Sequence, residues 1–127
     1  MNFDKKYLLS ALSFAMIGLL LGIFMGISGD HTQFVTHAHI LLVGFVVSFI
    51  YSVIHKLWLG GPKSAVATTQ FFLHHVSALV MFVALYLMFG KIVPQEQAGP
   101  ILGIASLGVF GGMLLMMTMV VRSKPMA

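Results

Sequence analysis

The chain has 127 residues, 59% of them hydrophobic and only 8% charged. A water-soluble domain keeps roughly a quarter of its residues charged, so the composition excludes a large water-facing domain and points to an integral membrane protein. Lys and Arg outnumber Asp and Glu seven to three, yet no basic domain exists to meet a nucleic acid, and the absence of cysteine excludes disulfides and thiolate metal sites.

Four apolar runs are each long enough to cross a hydrocarbon core of about 30 Å, which takes about 20 residues. The first, Tyr7–Ser28, follows Lys5 and Lys6 and exceeds the roughly 7–15 apolar residues of a signal-peptide core, so it reads as a retained helix. The others are His37–Trp58, Ala67–Gly90 and Pro100–Val121. Gly29-Asp30, Gly60-Gly61-Pro62 and Pro94 through Gly99-Pro100 supply the turn chemistry between them. Breaks this short make successive helices antiparallel neighbours. The predicted fold is therefore all-α, one transmembrane domain over residues 1–127, built as a four-helix up-down bundle. Lys5, Lys6, Lys56, Lys63, Arg122 and Lys124 fall on one side, and Asp30, Glu96 and Lys91 on the other. Cytoplasmic loops are the Lys/Arg-rich ones, which predicts both termini inside a bacterial-type inner membrane. Trp58 and Tyr7 are expected in an interfacial aromatic belt.

Segment one carries Gly18, Gly22 and Gly26 at four-residue spacing, and segment four carries Gly108 and Gly112 with Gly111 alongside. Small residues so spaced let a backbone or a flat ligand come close, and ordinary helix packing is the expected use. The methionines read as core filling.

Apart from Lys56 near the end of segment two and Tyr7, Tyr51 and Tyr86, the ionisable groups inside the apolar runs are histidines, with no Asp or Glu among them, and such a group at membrane depth is a functional hypothesis by default. His37 and His39 open segment two and project about 200° apart. The His37 face continues through Gly44, Ser48, Tyr51, Ser52 and His55, a small and polar stripe that should look into the bundle. The His39 face continues through Val43, Val46, Ile50, Val53 and Leu57, so its imidazole needs a neighbouring subunit or a cofactor to offset desolvation. His74 and His75 lie about 10 Å in from the cytoplasmic end of segment three, so they differ in depth from His37 and His39 by on the order of 15 Å. Two regions are expected: an outer one with His37, His39 and loop residue His31, and an inner one with His55, His74 and His75. A neutral-imidazole set suits zinc or copper, but the Phe, Leu, Val and Gly surroundings suit a b-type haem better, which needs one or two imidazoles in a large apolar pocket. Against this stands the reading in which the histidines merely bond helices together.

The run His37-Ala38-His39, followed by Gly44, Ile50-Tyr51 and Leu57-Trp58, resembles the tenth helix of the catalytic subunit of haem-copper oxidases. The likeness is closest to the C-type oxidase and nitric oxide reductase branches. Segment three, with Phe71-Phe72-Leu73 near its start, resembles the eleventh helix, and the chain is similar to small stand-alone four-helix proteins that look like fragments of that subunit, the resemblance covering roughly segments two and three. The resemblance implies that His37 matches the ligand of the high-spin haem and His39 that of the low-spin haem. It departs from the family in having no histidine in segments one and four for a second low-spin ligand, and no counterpart of the copper-ligating histidines, the catalytic tyrosine or an acidic proton channel. Oxygen or nitric oxide reduction is therefore not expected of this chain alone.

The expectation drawn from all this is a small membrane cytochrome embedded in lipid. It binds haem b, one or two per protomer or shared between protomers of a homo-oligomer. Axial imidazoles come from His37, His39 and His75, with His74 beside them and His55 as a further candidate. Two imidazoles on iron favour electron transfer with a quinone or a membrane redox protein, and one leaves a site for a gas ligand; the residues do not decide between these, nor whether the protein is an enzyme. The alternative from another class is a copper or haem carrier, or an accessory protein of oxidase assembly, without catalysis.

Overall fold

The computed structural model describes residues 2–60 and 64–124, which form four long helices and no strand among the described residues. Helix α1 spans Phe3–Ser28, α2 Phe34–Leu59, α3 Ala65–Phe89 and α4 Gln95–Arg122, and each is long and apolar enough to cross a membrane. All four begin two to five residues before the hydropathic runs do, at Phe3, Phe34, Ala65 and Gln95. Hydropathy marks the thickness of oil, whereas a helix continues into the headgroup layer wherever good helix formers such as Lys, Gln and Glu carry it.

The ends have local causes. Gly29 takes φ 72° and returns its N–H to the Met25 carbonyl at 3.0 Å, a left-handed cap that glycine adopts without strain. Ser64 caps α3 by accepting from the Ala67 N–H at 3.1 Å. The expected break at Gly99-Pro100 is not one: α4 starts after Pro94, and Pro100 lies inside its second turn. There its missing N–H leaves only the Glu96 carbonyl without a helical partner, near the helix end where that loss is most easily met. Gly61, Pro62 and Lys63, part of the expected second turn and of the basic side, lie outside the described residues.

Side-chain contacts fix the helix order. Along α1 and α2, Asp4 meets Ser52, Phe14 meets Gly44 and Gly22 meets His37, so the two run in opposite directions. Ser48 with His74 and Gln33 with Tyr86 pair α2 and α3 in the same opposed sense, as Gln70 with Gly112 and Ser77 with Gly108 do for α3 and α4. The glycine faces are used as expected. Gly18 lies under Ile40 and Leu41, a Cβ on Gly108 would overlap the Ser77 hydroxyl, and Gly26 faces open space.

One core cluster gathers Phe14, Ile40, Ala78, Met81, Phe82, Leu85 and Ala105, and a second, nearer the termini, gathers Tyr7, Tyr51 and Met116. Outward surfaces carry Leu19, Leu20, Ile23, Ile104 and Leu107, all more than half exposed. The interior instead holds polar side chains, among them Gln33, Thr36, Ser48, Ser52, Gln70 and His74. Apolar residues outside and hydrogen-bonding residues inside is the arrangement lipid demands.

Candidate functional site

Each end of α2 positions a histidine beside an irregular stretch of helix. The helix opens to π-geometry over Ile40–Val46, immediately after His39, and again over His55–Leu59. Such widened turns are frequent at functional sites. The expected inward stripe is borne out: Gly44, Ser48, Tyr51, Ser52 and His55 are all buried, and His37 is half-buried above them. The expected apolar stripe is outward only in part: Val46, Ile50 and Leu57 are exposed, while His39, Val43 and Val53 are half-buried and Val43 packs against the core.

Hydrogen bonding then settles the proton position on three imidazoles. A carbonyl oxygen only accepts, so a neutral imidazole facing one must carry its proton on the nitrogen that faces it. His37 Nδ1–H donates to the Gly18 carbonyl at 2.8 Å, across to α1. His39 Nδ1–H donates to Val35 at 2.9 Å and His75 Nδ1–H to Phe71 at 2.9 Å, each one turn back on its own helix. A neutral ring so bonded keeps a lone pair on Nε2, and in none of the three does that atom have a hydrogen-bond partner among the described residues. Gly22 completes the seat of His37, because the ring lies where a Cβ would stand, 2.8 Å from Cε1.

The inner three histidines do come together, around a residue assigned above to the membrane surface. Tyr7 is fully buried, and its ring centroid lies 5.6 Å from that of His55, 6.0 Å from His74 and 5.4 Å from His75. The aromatic-belt expectation is therefore corrected for Tyr7, while Trp58 is half exposed at the end of α2 as expected. Tyr7 is inside because it shares the α1 face of Phe14 and Gly18, about two and three helical turns further on. Its hydroxyl donates to Gln70 Oε1, and Gln70 Nε2 donates to the Gly112 carbonyl at 3.1 Å, so one polar chain ties α1, α3 and α4. His74 Nε2 shares a hydrogen bond of 3.0 Å with the Ser48 hydroxyl, and its ring lies perpendicular to that of His75 at 5.2 Å.

His55, close to the end of α2, is nonetheless enclosed: it is 4% exposed and stacked between Phe3 and Tyr7, at 5.4 and 5.6 Å. Its Nε2, with His74 Nδ1 and His75 Nε2, is buried without a partner. A buried polar atom so left costs roughly 1–3 kcal/mol, and these three lie on rings packed about one tyrosine. His37 and His39 remain apart from it, and His31 is exposed in the connection between α1 and α2.

Three or more histidines, aspartates or glutamates do not converge on a common point anywhere among the described residues. A zinc or copper ion held by several imidazoles of one protomer is thus not prefigured. A group that takes one imidazole per face asks less. Metal-bound histidines hold their second nitrogen on a carbonyl or carboxylate, which orients the ring and raises its basicity, and His37, His39 and His75 each have that arrangement. Gln70 escaped the sequence reading, and Tyr7 was placed at the membrane surface. The signal for Tyr7 was its place on the glycine face, and that for Gln70 its position one turn before His74. Comparisons with protein-family models, with curated proteins and with solved structures find no match.

Proposed function

We propose that this chain is a small membrane cytochrome that binds b-type haem. The observation that carries the reading is the set of three imidazoles, His37, His39 and His75, whose Nδ1–H is spent on a backbone carbonyl and whose Nε2 lone pair is free. Bound haem would supply reversible one-electron chemistry at its iron. The chain's own part is to present imidazoles in one tautomer, fix their orientation and surround them with apolar side chains. The His37 ring is seated in the space that Gly22 leaves free of a Cβ, and Phe14 and Phe71 pack against His75, at 6.2 and 4.2 Å between ring centroids.

His39 belongs to a stripe that faces lipid in part, and lipid has nothing to offer a bare nitrogen. A second copy of the chain answers this best, with haem at or near the interface of a homo-oligomer. Electron transfer with a quinone or another membrane redox protein follows if two imidazoles hold the iron, and binding of a gas ligand if one does. Lys5, Lys6, Lys56, Arg122 and Lys124 near one end, against Asp30, Lys91 and Glu96 at the other, support a bacterial-type inner membrane with both termini cytoplasmic.

The test is the visible spectrum of the protein purified from cells supplied with haem. A Soret band with sharp α and β bands on reduction is expected, and His39→Ala is expected to lose haem or the reduced α band. Full haem content and an unchanged spectrum in that variant would overturn the assignment of His39. A second reading, an accessory protein whose histidines bind helices together, is favoured by the His37–Gly18 and His74–Ser48 bonds. A colourless preparation supports it, and a colourless one with stoichiometric copper or zinc supports a metal carrier.

A further inference from the structure

We propose that the groove between α1 and α2, at the end of the bundle holding both chain termini, binds one anionic glycerophospholipid. The groove has a volume of about 540 Å³. Its walls are Leu8 from α1 and Phe49 and Val53 from α2, and its rim is Asp4, Lys5 and Lys56. From Phe49 to Lys56 it runs about 10 Å along the helix, enough to pass from headgroup depth into the acyl region.

The polar group inside the groove is already engaged, since Ser52 Oγ–H donates to the Asp4 carbonyl at 2.7 Å. What remains is apolar below and charged above, the two-part character of a lipid. The cations near the rim are not equivalent. Lys6 lies 4.9 Å over the Phe3 ring. Lys56 stands 4.0 Å from the Asp4 carboxylate with its side chain 73% exposed, a distance at which an exposed pair contributes little. Lys5 has no ion pair among the described residues. Two lysines from two helices against one aspartate leave the rim positive, complementary to a phosphodiester and not to a zwitterionic headgroup. Bridging Lys5 and Lys56 would also clamp α1 to α2 at the end where His55 and Tyr7 are buried. This inference is independent of haem.

The experiment is native mass spectrometry of the protein released from vesicles of equimolar phosphatidylglycerol and phosphatidylcholine. The wild type is expected to retain phosphatidylglycerol preferentially. Lys5→Gln and Lys56→Gln should each lower the ratio of the two lipids about fivefold, the contribution of one lysine near an anionic surface. Lys91→Gln makes the same charge change at the opposite end and should leave the ratio alone. Val53→Trp keeps both ammonium groups but fills the apolar wall, and should cut retention of either lipid. Equal retention of the two lipids by the wild type, or an equal fall in the Lys91→Gln control, would overturn the proposal.

Discussion

Replacing Gly22 with alanine tests whether a glycine on α1 is the seat of His37. The new Cβ would lie 2.8 Å from His37 Cε1 and 3.4 Å from Nδ1. Carbon pairs rest at about 3.5–4.0 Å, so the ring must withdraw by about 0.7–1.2 Å. Nδ1 now lies 2.8 Å from the Gly18 carbonyl, and a withdrawal of that size carries it to about 3.5 Å or more, where little of the bond survives. An interhelical hydrogen bond in a membrane contributes about 0.6 kcal/mol on average and up to about 1.7, and crowding a packed site costs about 1–3 kcal/mol. Against these, alanine gains about 1 kcal/mol of helix propensity over glycine. Gly22→Ala should therefore lower stability by about 1–3 kcal/mol. Gly26→Ala is the control, because nothing lies within 4 Å of its Cβ position. It should gain the propensity alone. Unfolding in mixed micelles of rising dodecyl sulfate content, followed by far-ultraviolet circular dichroism, measures the difference. Nitrogen-15 spectra of His37 report whether Nδ1 still carries the bonded proton. If Gly22→Ala is as stable as Gly26→Ala and the Nδ1–H signal is unmoved, the seat is not there.

Tyr7→Phe leaves Gln70 Oε1 buried without its donor and should lower stability by roughly 1–3 kcal/mol, whereas Tyr7 as a belt residue would cost almost nothing. The same micelle unfolding decides it, with Gln70→Leu in the Tyr7→Phe background expected to recover part of the loss. Outside the spans, the Thr32 backbone N–H at 3.0 Å from Asp30 Oδ1, aided by the Thr32 side chain, holds the Asp30 carboxyl below the ordinary aspartate range. A depressed carboxyl pKa stabilises the folded turn above the unfolded value, and that contribution is lost as pH falls through the folded one. The Thr32 amide shift should then titrate with a midpoint below that of an unperturbed aspartate, and not at all in Asp30→Asn. A midpoint at or above the ordinary value contradicts the bond.

Much of the bundle is legible from spacing alone. The His37 stripe through Gly44, Ser48 and His55 points inward because residues at helical period share a face, and that holds even across the widened turn after His39. Glycines on α1 and α4 announce close packing for an equally local reason. Less was legible where partners come from elsewhere in the chain. Tyr7 looks like a surface aromatic from its place beside two lysines, and only the packing of α2 and α3 against α1 encloses it. His55 looks interfacial from its distance along α2, until Phe3 and Tyr7 close over it.

The sequence by itself determined that four apolar helices are long enough to cross a membrane and that their apolar runs hold histidines but no carboxylates, since both follow from composition and period. Only the tertiary structure decided the imidazole bonds that cross between helices. The Gly18 carbonyl that holds His37 is 19 residues away along the chain and 2.8 Å away in space, and the Ser48 hydroxyl beside His74 is 26 residues and 3.0 Å away. Helical period fixes the one-turn bonds of His39 and His75 and says nothing of where those distant atoms lie.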